Sequence, residues 1–187
     1  MTGRGMTKTT PRLIGLTGTN GAGKGEAAAY FAGKGYSRFS LSDVIRDELR
    51  GRGEAESRDA LIRTGNALRR RYGPDVLARR TMAKVKAGER AVIDSIRNLR
   101  EIAYLRAQGD FVLLAIDAPA EVRFARVAAR GRDESAPDLA AFRKKEEEER
   151  VGGAAAQQLE ACLAAADRVI VNDGTLPEFH RKLEEVA

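Results

Sequence analysis

The chain switches repeatedly between two hydrophobic periods. "RLIGLT" (Arg12–Thr17) is a short apolar run bordered by glycine, which predicts a buried strand. The alanine-rich stretch Lys24–Gly33 then predicts a helix, and "YSRFS" (Tyr36–Ser40) a second strand. Leu41, Val44, Ile45 and Leu49 recur at helical spacing up to Gly51, and Leu61, Ile62, Gly65, Leu68 and Tyr72 repeat the pattern. Pro74 is expected to open a further helix at its first position, with Leu77, Thr81 and Val85 on one face and Gly88 past its end. Three more strands are predicted at "AVIDS" (Ala91–Ser95), "FVLLAID" (Phe111–Asp117) and "RVIVND" (Arg168–Asp173). A helix follows each: "NLREIAYLRAQG", then Pro119–Arg130, then a last one bearing Phe179, Leu183 and Val186, which Thr175 and Glu178 cap around Pro177.

Nearly continuous apolar strands alternating with helices specify a parallel sheet covered on both faces. The expected fold class is α/β, three layers around a parallel sheet of about five strands. One domain is expected over residues 12–187, behind a disordered tail at 1–11. Two stretches interrupt the alternation. Residues 41–88 hold helices with no strand between them, and 131–166 do the same, including "RKKEEEER". Both are expected as inserts over the carboxyl edge of the sheet, where ligands bind in doubly wound folds.

Composition narrows the function classes. At 187 residues, 43% hydrophobic and 32% charged, the chain has the make-up of a globular domain with a full core. No apolar run approaches the ~20 residues of a membrane span, and "MTGRGMTKTTPR" lacks the apolar segment of a secretory signal. A single Cys162 cannot form an internal disulfide, which suits a reducing cytoplasm, and a monomer or homodimer is expected. Cys162 shares a helical stripe with Leu159 and Leu163 and reads as an inert buried thiol. The net charge of +6 raises nucleic acid as a partner. Against it, 33 basic residues are mixed with 27 acidic ones, and no basic run is interleaved with aromatics. An arginine excess also suits a small ligand carrying several phosphates. Such a ligand is the expected partner, with neither nucleic acid nor membrane.

The phosphate site is explicit. "GTNGAGKG", Gly18–Gly25, follows a predicted strand and opens a predicted helix, the context a phosphate-binding loop needs. Backbone N–H groups from Gly18, Asn20, Gly21, Ala22, Gly23 and Gly25 are positioned to wrap a phosphate. Lys24 then reaches the β- and γ-oxygens of ATP. Gly25 removes the hydroxyl that usually touches Mg²⁺ in such loops, and Glu26 follows it. Asp94 ends an apolar strand, where a carboxylate orients the water of Mg²⁺. D-x-x-R occurs twice, as Asp43 with Arg46 and as Asp94 with Arg97; an ordinary i,i+3 ion pair is the plainer reading of each. Arg126 and Arg130 stand at i,i+4 on one predicted helix, where like charges repel, between Arg123 and Arg132.

The "GxGKG" loop resembles that of adenylate kinase and other nucleoside monophosphate kinases, which also carry glycine after the lysine. Those families usually have Thr next, where Glu26 stands here. They show a similar D-x-x-R after the second strand and a "DGxPR"-like turn after the third, although Ser95 and Ile96 replace the glycine and a proline here. The resemblance implies that Ser42, Asp43, Arg46 and Arg97 bind the acceptor, and that Arg126 and Arg130 meet the ATP phosphates at the mouth of a lid. The lid is expected over 131–153, entered through "GRDESAP" and left through Gly152-Gly153. The end of the chain resembles dephospho-CoA kinases, which implies that Asn172 to Thr175, Gly174 included, border the adenine. His180 is given no catalytic role.

Two acceptors remain open. A phosphate acceptor is already nucleophilic at neutral pH and needs cations, which Arg46 and Arg97 supply. A ribose hydroxyl needs a carboxylate to take its proton, and Asp43 is the candidate. The first is favoured: ATP-dependent phosphorylation of a nucleoside or deoxynucleoside monophosphate. A nucleotide-binding switch without transferase activity is the reading from another class.

Overall fold

The computed structural model describes residues 10–130, 136–150 and 158–185. Five strands, β1 (Leu13–Gly18), β2 (Ser37–Ser40), β3 (Ala91–Asp94), β4 (Phe111–Asp117) and β5 (Arg168–Val171), form one all-parallel sheet in the order β2-β3-β1-β4-β5. β1 lies at the centre and is buried along its whole length, which is why "LIGLTG" carries no charged side chain. Pairing of β1 with β4 runs from Leu13 opposite Phe111 to Gly18 opposite Ile116.

Helices cover both faces. α1 (Lys24–Gly33) and α9 (Leu176–Glu184) pack Phe31, Phe179 and Leu183 against Ile14, Leu16 and Ile116 on one side. The other side is closed by α2 (Leu41–Gly51), α3 (Arg58–Tyr72), α4 (Val76–Met82), α5 (Leu99–Arg106) and α8 (Leu159–Ala164), around Leu13, Ile93 and Leu113. α6 (Ala120–Ala129) lies beside the phosphate loop, and α7 (Leu139–Arg150) packs on α6. Ser40 and Ser57 cap α2 and α3 by accepting the N–H of Ser42 and of Ala60. Gly65 lets α3 approach α2 closely, because a Cβ there would lie 2.9 Å from Ile45.

The fourth helix differs from expectation. Pro74 does not open a helix; it lies in a turn, and Asp75 precedes α4, which begins at Val76 and ends at Met82, before Val85. The fourth helix is therefore shorter than its apolar stripe, since Val85 packs on the core from a turn. The charged helix α7 carries one buried ring: Phe142 is 2% exposed and packs against Phe124 of α6. Of the expected lid, 131–135 and 151–153 lie outside the described residues, as do Arg132, Val186 and the tail at 1–9.

Candidate active site

The loop between β1 and α1 takes its shape from two close approaches. Gly18 has φ +143°, and a Cβ there would fall 2.0 Å from the Ile116 carbonyl oxygen on β4. Gly23 has φ +109°, and its Cβ would fall 2.3 Å from Asn172 Nδ2. Any side chain at either position would push the loop off the sheet. Gly25 differs, for its Cβ position faces open space. A serine or threonine would fit there.

Lys24 folds back over the loop it ends, donating from Nζ to the carbonyls of Gly18 at 3.0 Å and Thr19 at 2.8 Å. Burial pushes its ammonium down from 10.5 to about 7; Arg97 and Arg130 push the same way, and Asp94 pulls back. Asn20 Nδ2 is buried with no hydrogen-bond partner. An unpaired donor beside a destabilised cation is what a polyanion would relieve.

A cavity of about 270 Å³ opens from the loop towards α2 and α3. Asn20, Gly21, Gly23, Lys24 and Gly25 form one wall. Asp94, Ser95 and Arg97 form its floor, and Arg130 stands at its rim from the end of α6. The far wall carries Ser42 and Arg46 of α2, with Arg58 and Arg69 of α3. Asp94 is the one carboxylate among the described lining residues, set against six cationic side chains.

The floor is held from several sides. Thr17 Oγ1 donates to Ile96 O at 3.0 Å, and Ile96 N to Leu16 O at 3.2 Å, so the turn after β3 is tied to β1. Ser95 takes the glycine's part in that turn with φ +66°, and its N–H donates to the Asp94 carboxylate. Its hydroxyl accepts from Ser40 Oγ at 3.2 Å. Arg97 Nη1 donates to Gly18 O at 2.9 Å, and Gln158 N donates to Arg97 O at 2.7 Å. Beneath them lies Glu101, fully buried. Its Oε2 accepts from the N–H groups of Arg97 at 2.9 Å and Asn98 at 3.0 Å. Its Oε1 takes Arg69 Nε at 2.9 Å and Nη2 at 2.8 Å. Burial pushes the Glu101 carboxyl up, against the Arg69 guanidinium and the two N–H groups. This pair ties α3 to the Arg97 turn.

The expected residues divide. Lys24, Asp94, Arg97, Arg130, Ser42 and Arg46 meet at one cavity. Asp43 is not among its lining residues: it accepts Arg46 Nη1 at 2.9 Å, while Arg46 Nε donates to Glu56 at 3.0 Å. Arg126 and Arg130 part, contrary to the shared face their spacing suggests. Arg126 turns to the back of the loop and donates to Asn172 O at 3.2 Å and Asn172 Oδ1 at 3.3 Å. Asn172 Nδ2 in turn donates to Ala22 O at 2.9 Å. Gly174 lines a separate depression with Asp173 and Arg181. Glu26 faces α9, 2.8 Å from His180 Nε2. Cys162 is buried, which pushes its thiol up to about 12.

Two contributors went unread in the sequence, Arg58 and the Arg69–Glu101 pair, and a third was noted there without a role, Arg123. The last is 5% exposed and donates to Ala118 O and Asn20 O while pairing with Glu146 of α7. Only Arg123 carried a signal, as an arginine at i−3 from Arg126.

Residues 14–152 match the family model described as an AAA domain. A UPF0200 protein of Methanothrix thermoacetophila is 34% identical, with 94% of this chain and 96% of that protein aligned. The chain is an AAA-domain member of the UPF0200 family. Among solved structures, the UPF0200 chain is similar to a shikimate kinase from Acinetobacter baumannii at TM-score 0.57 and 13% identity, covering 96% of this chain and 93% of that one. A gluconokinase from Sinorhizobium meliloti gives TM-score 0.52 and 15% identity, covering 92% and 89%. The fold is that of small P-loop kinases, and its loop is a nucleotide-binding one. No helix among the described residues is long and apolar enough to cross a membrane.

Proposed function

We propose that the UPF0200 chain transfers the γ-phosphoryl group of ATP to a nucleoside or deoxynucleoside monophosphate. The observation that carries this reading is the cavity itself: it joins Lys24 and Asn20 to Arg46, Arg58 and Arg97 across one space, with Asp94 between. Two phosphate sites facing each other suit transfer better than a switch that holds one nucleotide.

In the reaction an oxygen of the acceptor phosphate attacks the γ-phosphorus, and the bond to the β–γ bridging oxygen breaks. ADP leaves with that electron pair, and the acceptor becomes a diphosphate. A dianionic phosphate brings no proton to remove, so no base is required. Lys24 and the loop N–H groups would hold the β- and γ-oxygens. Arg97, beside Gly18 O, stands between donor and acceptor phosphates and offsets charge on both. Arg130 closes the rim. Mg²⁺ would supply further neutralisation of the β- and γ-oxygens, held through water by Asp94 in the absence of a loop hydroxyl at Gly25.

A hydroxyl acceptor needs a carboxylate facing it. Asp43 is engaged by Arg46 outside the cavity lining, and Asp94, the carboxylate within it, is assigned to the water of Mg²⁺, which favours the phosphate acceptor. A coupled ADP-release assay over nucleoside monophosphates and dephospho-CoA tests the choice. Release dependent on dephospho-CoA alone would replace the reading, and release with no acceptor dependence would favour the switch.

A further inference from the structure

Among the described residues, two other than glycine hold a positive φ, Asp110 at +36° and Ser95 at +66°. They stand at opposite edges of the sheet. Asp110 precedes β4 at the amino edge, where its carboxylate accepts the N–H of Arg12 at 2.8 Å, and aspartate tolerates this conformation. Ser95 follows β3 at the carboxyl edge, where ligands bind in such folds, and it lines the cavity between Asp94 and Arg97. Serine has no such tolerance, and glycine would hold the turn without strain. Within the chain the hydroxyl has little use. Its Oγ accepts from Ser40 Oγ at 3.2 Å, and Ser40 Oγ accepts the N–H of Ser42 at 3.3 Å. Contacts this long return little against the strain. The Ser95 N–H is already given to Asp94. What the turn leaves over is the Ser95 hydroxyl proton, half-buried on the cavity floor with no acceptor among the described residues.

We infer that Ser95 is an acceptor-binding residue whose hydroxyl donates to an oxygen of the acceptor phosphate. This rests on the monophosphate reading above. Position selects the ligand. Ser40 ends β2 opposite Asp94, and β2 lies on the far side of β3 from β1 and its phosphate loop. Contact with Ser40 therefore sets the Ser95 hydroxyl on the side of α2, the wall that carries Ser42 and Arg46. The floor there also carries the Asp94 carboxylate, which repels an anion. A donor beside that carboxylate lets a phosphate approach, and a hydroxyl can turn its proton to the nearest oxygen. The strained backbone is then part of the site, holding a side chain where glycine would offer none.

The test is calorimetric titration of the full chain as wild type, Ser95→Gly and Ser95→Ala. Each is titrated with a non-hydrolysable ATP analogue and then, saturated with it, with the monophosphates of adenosine, guanosine, cytidine, uridine and thymidine. Both variants lose the hydroxyl, and only glycine also releases the strain, so a shared effect belongs to the hydroxyl. Each variant should bind the monophosphate that wild type prefers about tenfold or more weakly, the worth of one hydrogen bond to a charged group. Affinity for the ATP analogue should not change. Either variant retaining wild-type affinity for the monophosphate would overturn the inference alone, as would an equal loss of affinity for the ATP analogue. Ser95→Gly carries the test by itself should Ser95→Ala fail to fold. No binding of any of the five by wild type would overturn the monophosphate reading with it.

Discussion

Lys24 and Arg97 donate to the same carbonyl oxygen, that of Gly18, at 3.0 and 2.9 Å. Two cations share one neutral acceptor, beside the partnerless Nδ2 of Asn20. Burial, and after it the neighbouring Arg97 charge, lowers Lys24 to about 7. Nucleotide phosphates beside Nζ should raise it again. Binding should therefore take up a proton wherever free Lys24 is neutral and bound Lys24 charged, from about pH 7 up to about 10. Uptake should approach one proton at about pH 8.5 and vanish below about pH 6, where both states are charged. Titration calorimetry in buffers of different ionisation enthalpy reads the number directly. Zero uptake at about pH 8.5 would contradict the account of Lys24.

Arg97 and Lys24 should separate kinetically. Arg97→Ala is expected to raise KM for the acceptor about ten- to a hundredfold, for one charge-assisted contact is worth about 1.5–3 kcal/mol. Lys24→Ala should abolish turnover while leaving the melting temperature of the nucleotide-free protein near wild type. An effect of Arg97→Ala confined to KM for ATP would take it out of the acceptor site.

Glu101 should be a stability residue with a long reach. Glu101→Gln keeps an oxygen for the N–H groups of Arg97 and Asn98 but strands the buried Arg69 charge, at a cost of about 3–5 kcal/mol. Adding Arg69→Met should recover more than half of that loss, because the unpaired charge goes with it. Urea unfolding of the two variants checks this, and a loss below about 1 kcal/mol for the single variant would refute it.

Ser95 holds a left-handed conformation that glycine adopts freely. Ser95→Gly should therefore be more stable than Ser95→Ala by about 1 kcal/mol, since both lose the Ser40 contact and only alanine keeps the strain. Thermal unfolding of the pair is sufficient. An alanine variant equal to or more stable than the glycine one would mean that the turn relaxes.

The parallel sheet, its five strands and the phosphate loop were legible in the chain because each is written locally. A strand buried on both faces must be apolar throughout, and a loop whose N–H groups wrap a phosphate must have glycine where a Cβ would strike Ile116 or Asn172. Asp94 and Arg97 were legible for the same reason, at the end of such a strand. Other features depend on which distant surfaces meet. Arg126 and Arg130, one helical turn apart, separate because Asn172, 46 residues from Arg126, draws one of them behind the loop. Phe142 anchors a helix whose composition reads as solvated, its ring buried beside Phe124, and Glu146 of the same helix is drawn in by the buried Arg123. Glu101 and Arg69, 32 residues apart, each look like ordinary charges on helices. Only the tertiary packing that brings Arg69 of α3 onto Glu101 of α5 removes water from both and makes each the partner the other requires.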